Sequence, residues 1–115
     1  MKRTTAVVIT VILGSMLLSG GLHADGKELF EKSCKMCHGA DGKGSPPMAT
    51  GLKVELAALD LTKVATQAKT VTELTGIVSD GKKAPDGTAT KMAGFKGKLQ
   101  QPELDAVVQY VKTLK

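Results

Sequence analysis

Cys34-Lys35-Met36-Cys37-His38 is the stretch that decides how the rest of the chain is read. Two thiols lie three residues apart and an imidazole follows the second at once. That spacing reads as covalent attachment of a c-type haem. One helical turn keeps both sulfurs on the same side of the backbone, because positions i and i+3 are neighbours on a helix. Each thiol can then add to one vinyl group of a porphyrin as a thioether. His38 projects over the ring, where its imidazole can bind iron as the proximal ligand. Lys35 and Met36 fill the variable positions and are expected to face away from the ring.

Other uses of such a stretch fit less well. A structural zinc site needs four ligands and usually a second Cys/His pair. This chain has two Cys and two His in all, and His23 falls in a segment expected to be removed. A thioredoxin-like redox pair calls for a βαβ setting, and no such pattern is visible. A disulfide between Cys34 and Cys37 would close a very short loop. Copper would suit the thiols and a Met sulfur but leaves His38 without a role.

The chain opens with the basic head Met1-Lys2-Arg3. An almost unbroken apolar run follows from Ala6 to Leu18, and then Ser19-Gly20-Gly21-Leu22-His23-Ala24. Charged head, apolar core and small residue before a cut is the order of a secretory signal. The expected cut lies between Ala24 and Asp25, giving a signal peptide over 1–24, a domain over 25–115 and a periplasmic location. The apolar run is short for a bilayer span; an uncleaved anchor is the alternative.

Without that segment, 91 of the 115 residues remain, enough for one small domain. A chain this short buries a limited fraction of its surface. It has no Trp, one Tyr and two Phe, so a bound haem would supply apolar volume that the side chains lack. The polypeptide is expected to fold poorly without it. Lys2 and Arg3 leave with the signal, so the 16 basic and 11 acidic residues reduce to a net charge of +3. Two ionised haem propionates would bring this to about +1. Such a balance, without aromatic-basic interleaving, does not point to nucleic acid.

Asp25 reads as an N-cap and Gly26 to Ser33 as a helix, with Glu28 in its first turn. Gly39 to Pro47 carries three Gly and two Pro and predicts a loop. A metal-bound His usually donates its second ring N–H to an acceptor; the carbonyls of Pro46 and Pro47 are the candidates, the alternative being that these prolines only stiffen the loop. Met48 to Lys69 favours a short helix or irregular loop packed under the haem. Thr70-Val71-Thr72-Glu73 has capping-box spacing, and Leu74, Ile77 and Val78 form one helical face ending at Gly81. Gly76 lies inside that helix, as a weak point or a place where the ring comes close. Lys82 to Lys98 predicts a second loop. Pro102 opens the last helix at its first position. Leu104, Val107, Val108, Val111 and Leu114 repeat at helical spacing, with Lys112 and Lys115 suited to the C-terminal end of its dipole.

The sixth iron position decides function. A second protein ligand makes an electron carrier; an open position allows gas sensing or peroxide chemistry. No further His remains after Asp25 once His38 is used. Thioether sulfur is a soft donor, and Met/His ligation raises the potential. Met36 sits inside the attachment turn and cannot easily reach the opposite face. Met92 lies on a Gly-flanked loop between two helices, from which it can wrap the far side of the ring. Met48, and an open or Lys-bound position, are the alternatives.

With these residues in view, the whole stretch from Asp25 to Lys115 resembles a class I monohaem cytochrome c of the small soluble bacterial type. The resemblance is carried by Gly26 and Phe30, by Cys34 to Gly44, by Asp80-Gly81-Lys82, by Lys91-Met92-Ala93-Gly94-Phe95-Lys96-Gly97-Lys98-Leu99, and by Val107-Val108-Gln109-Tyr110-Val111. It implies an all-α fold with haem in the core and the first and last helices crossing, Gly26 and Phe30 meeting the face around Tyr110. It also implies one covalently attached haem c, Met92 as distal ligand and electron transfer as function. Two features depart from the pattern. Ala93 follows the ligand Met, where family members often carry Pro. No Trp is present to bond a haem propionate, so the resemblance names no propionate partner.

The expected function is a diffusible, monomeric, periplasmic single-electron carrier rather than an enzyme. It would serve redox partners and meet the membrane only through their complexes. Lys82, Lys83, Lys91, Lys96 and Lys98 surround the Met92 loop. They could steer an acidic partner or serve solubility alone. A small haem enzyme or gas sensor with a labile distal position, and an electron-entry subunit of a larger complex, are the competing readings.

Overall fold

The computed structural model describes residues 25–115. The expected signal segment and its cleavage point lie outside the described residues. Among those described, the regular structure is helical and the only β pairings are isolated bridges, Lys83 with Ala89 and Lys96 with Leu99. No described helix is long and apolar enough to cross a membrane.

The first helix, α1, runs Gly26–Ser33. Asp25 caps it as expected, its carboxylate accepting from the N–H groups of Lys27 at 3.0 Å and Glu28 at 3.3 Å. These are two of the donors that a helix start leaves without partners. A single turn, α2, follows over Lys35–His38. Three short helices come next: α3 Pro46–Leu52, α4 Leu56–Leu59 and α5 Val64–Gln67. Two longer ones complete the fold, α6 Val71–Asp80 and α7 Gln101–Val111. The predicted capping box at Thr70 is formed: Thr70 Oγ1 accepts from Glu73 N at 3.1 Å, and the Glu73 carboxylate accepts from Thr70 N at 2.7 Å.

Three local expectations are corrected. Pro46 and Pro47 do not sit in a loop but open α3. Proline lacks the N–H that a first helical turn cannot use, so it suits that place. Pro102 stands second in α7, behind Gln101, and Gln100 N donates to the Glu103 carboxylate at 3.0 Å at the helix start. Gly76 is exposed, and a Cβ built there would meet nothing within 4 Å. It makes no close approach to the rest of the chain and is not among the residues lining the cavity described below.

The core forms where α1, α6 and α7 meet. Phe30, Leu74, Val107, Val108, Val111 and Leu114 make one buried cluster, with Ile77, Val78 and Tyr110 packed against it. The expected apolar face of α7 is thus the face that is buried. Phe30 and Val108 are fully enclosed, each worth about 1.5–3 kcal/mol of transfer free energy. The Phe30 and Tyr110 rings stand 5.3 Å apart and tilted by 58°, a favourable aromatic geometry. Gly26 makes this contact possible. A Cβ there would run into the Ala106 carbonyl, 2.7 Å from its carbon, and lie 3.1 Å from Tyr110 Cβ. The meeting of Gly26 and Phe30 with the face around Tyr110 is therefore present.

Candidate haem site

A cavity of about 720 Å³ opens beside this core, within the range of small-molecule and cofactor sites, about 300–1,000 Å³. Its walls are mainly apolar. Phe30 comes from α1, Leu59 from α4, Leu74, Ile77 and Val78 from α6, and Val107, Val108 and Val111 from α7. Cys34, Cys37, His38 and Met92 line the same space. Residues far apart in the chain are thus brought together as the sequence reading requires. Met48 is half-buried on α3 and is not part of the cavity wall. Lys35 and Met36 face outward as expected; Met36 is 74% exposed.

Local geometry fixes the attachment turn. The N–H groups of Cys37 and His38 both donate to the Cys34 carbonyl, at 3.2 and 2.9 Å. This winds the two thiols onto one turn. Burial pushes the Cys34 thiol up to about 11, with the neighbouring Cys37 thiol adding to the shift. A reactive thiol is favoured by the opposite, a depressed pKa. Among the described residues no three His, Cys, Asp or Glu side chains converge as a metal cage.

The His38 ring is oriented by a single bond. Its Nδ1 lies 2.8 Å from the Leu59 carbonyl oxygen. A carbonyl can only accept, so Nδ1 carries the proton and Nε2 keeps its lone pair for a metal. This corrects the expectation that Pro46 or Pro47 supplies the acceptor. Both proline carbonyls are drawn into the opening turn of α3, and the chain returns to the imidazole at the end of α4.

Met92 is positioned by its loop. Lys82 N donates to Met92 O at 3.1 Å, Phe95 N to Val78 O at 2.8 Å and Lys96 N to Ser79 O at 2.9 Å. These bonds strap Met92 and the residues that follow it to the end of α6. They hold the loop although Ala93 stands where a proline could stiffen it.

Two thiols on one turn, an imidazole with a free Nε2 and a thioether, set in a mostly apolar cavity, fit a covalently held porphyrin and its iron. The cytochrome c family model matches residues 23–115 of this chain. The chain belongs to the cytochrome c family. Its cofactor is therefore haem c, covalently bound and carrying iron, and its activity is haem-based electron transfer. Among solved structures, the chain is similar to KustC0563, a c-type cytochrome. The two are 28% identical with a TM-score of 0.59, over 79% of this chain and 98% of that one. A Tyr-to-Phe mutant of Kustc0563 matches at 32% identity and a TM-score of 0.56, over 79% and 99%. No curated protein matches.

Sequence reasoning missed the Leu59 acceptor and the role of α5. Lys112 was expected to serve the end of its own helix. Its ammonium instead donates to the carbonyls of Gln67 and, at 2.8 Å, Lys69. Gln67 Nε2 in turn donates to the carbonyls of Leu61 at 2.8 Å and Val111 at 3.0 Å. Together they bolt α5 to the end of α7.

Proposed function

We propose that this cytochrome is a periplasmic single-haem electron carrier whose axial ligands are His38 Nε2 and Met92 Sδ. The observation that carries this reading is that Met92 shares the cavity with His38, Cys34 and Cys37 while Met48 does not. The haem supplies one-electron ferrous/ferric chemistry. Cys34 and Cys37 tether it, and His38, held by Leu59, presents Nε2 without needing to rotate. The Met92 thioether would supply the second iron ligand and exclude exogenous ones. Apolar walls from α6 and α7 keep water away from the metal and favour the less charged ferrous state. The signal pattern over residues 1–24 supports export.

Lys82, Lys83, Lys91, Lys96 and Lys98 are all exposed, and Lys82 and Lys91 border the cavity. They suit docking of an acidic redox partner at the cavity edge.

Optical spectra of the oxidised protein test the ligand set through the weak sulfur-to-iron band. Met92→Ala should abolish the band and open the reduced iron to carbon monoxide. Met48→Ala should leave both unchanged. A band that survives Met92→Ala would overturn the assignment.

A further inference from the structure

A haem c carries two propionate carboxylates on the pyrroles remote from its thioethers. An unpaired carboxylate is costly to place in an apolar cavity, so a polar side chain on this wall would stabilise a propionate that lies against it. Apart from the attachment residues, its polar side chains are Ser33, Thr66, Lys69, Lys82, Thr90 and Lys91. Ser33 adjoins Cys34 and so lies at the thioether edge. Lys82, Thr90 and Lys91 are exposed beside Met92, and the Thr90 hydroxyl already donates to Lys82 O at 2.8 Å.

Thr66 and Lys69 remain. Both are half-buried and stand one turn apart at the end of α5. The ion pairs among the described residues are Lys32 with Glu28 and Lys63 with Asp60. Lys69 Nζ instead bonds the Ala65 carbonyl at 3.0 Å, and Lys112 bonds carbonyls only. Among the described residues no carboxylate forms an ion pair with Lys69, although Glu73 is near enough for the charges of Lys69 and Lys112 to lower its carboxyl. The end of α5 is also held rigidly by Gln67 and Lys112, as a pre-organised receptor requires.

We propose that Thr66 and Lys69 cradle a haem propionate, Lys69 Nζ supplying the charge and the Thr66 hydroxyl a hydrogen bond. Lys112 acts as a positioning residue, fixing the Lys69 backbone. The cradle rests on the haem of the family and not on Met92 as ligand.

The test uses the holoprotein with ¹³C in its propionate carboxyls and reads their bands in oxidised-minus-reduced infrared spectra. Lys69→Met and Thr66→Val should each shift a labelled carboxylate band, and Lys69→Arg should largely restore it. Lys82→Met and Lys91→Met should leave the bands in place. An unmoved band in Lys69→Met, or an equal shift in Lys82→Met or Lys91→Met, overturns the cradle. The Soret and sulfur-to-iron bands of the same samples report folding and axial ligation separately.

Discussion

Gly81 and Gly94 meet backbone to backbone. A Cβ on Gly81 would stand 2.9 Å from Gly94 N, and one on Gly94 would stand 2.8 Å from Gly81 N. The C-terminus of α6 and the Met92 loop can close on each other only because both positions lack a side chain. Gly94→Ala should push the loop off α6 and weaken or abolish the sulfur-to-iron band, while Cys34 and Cys37 keep the haem attached. A band of wild-type intensity in Gly94→Ala would refute this coupling.

Gly76 is the internal contrast. It is a helical, exposed position with open space where a Cβ would go. Gly76→Ala should therefore stabilise the protein by about 0.5–1 kcal/mol. Denaturant unfolding monitored by circular dichroism reads the change, and a lower midpoint would refute it.

Gly26→Ala should act in the opposite sense. The added methyl collides with the Ala106 backbone, which cannot turn aside as a side-chain tip can. Overpacking of this kind costs about 1–3 kcal/mol or more. Unfolding of the ferric protein should shift to lower denaturant by that amount; an unchanged midpoint would show that α1 can slide along α7.

Glu73 offers a pH test. Its bonds with Thr70 hold its carboxyl below the ordinary carboxylate range, with smaller help from Lys69 and Lys112. A depressed acid contributes stability above its unfolded pKa and loses it as pH falls through the folded value. Glu73→Gln keeps an acceptor for Thr70 N–H but does not titrate. The wild-type advantage in melting temperature should be present at neutral pH and shrink on acidification below the usual carboxylate pKa. A constant gap across that range would exclude the linkage.

Electron transfer to an acidic redox partner should slow by about tenfold or more as salt rises from low to physiological, since steering by exposed charges is screened. Neutralising Lys82 and Lys91 together should flatten that dependence. A rate indifferent to ionic strength would leave these lysines a solvating role only.

The elements that the sequence makes legible are those whose signal is local. Asp25 and Thr70 announce their helices because the cap residue itself makes the bond. The buried face of α7 is visible because Leu104, Val107, Val108 and Val111 recur at helical spacing. Cys34, Cys37, His38 and Met92, which line one cavity, could be singled out for a related reason, since thiol, imidazole and thioether chemistry is written in the side chain. What stayed hidden depends on the backbone of a distant residue. Leu59 serves His38 through its carbonyl, which every residue possesses, so no side-chain pattern could point to it. The same holds for Lys112, whose acceptors are the main-chain oxygens of Gln67 and Lys69. Pro46 and Pro47 misled because proline suits both a loop and a helix start, and only the chain that follows separates the two.

The close seat of α1 on α7 has a consequence for the order of events during biosynthesis. Cys34, Cys37 and His38 precede Gln101–Val111 in the chain, so in any passage that begins from the N-terminus the attachment turn emerges first, and the last helix to arrive acts as the seal.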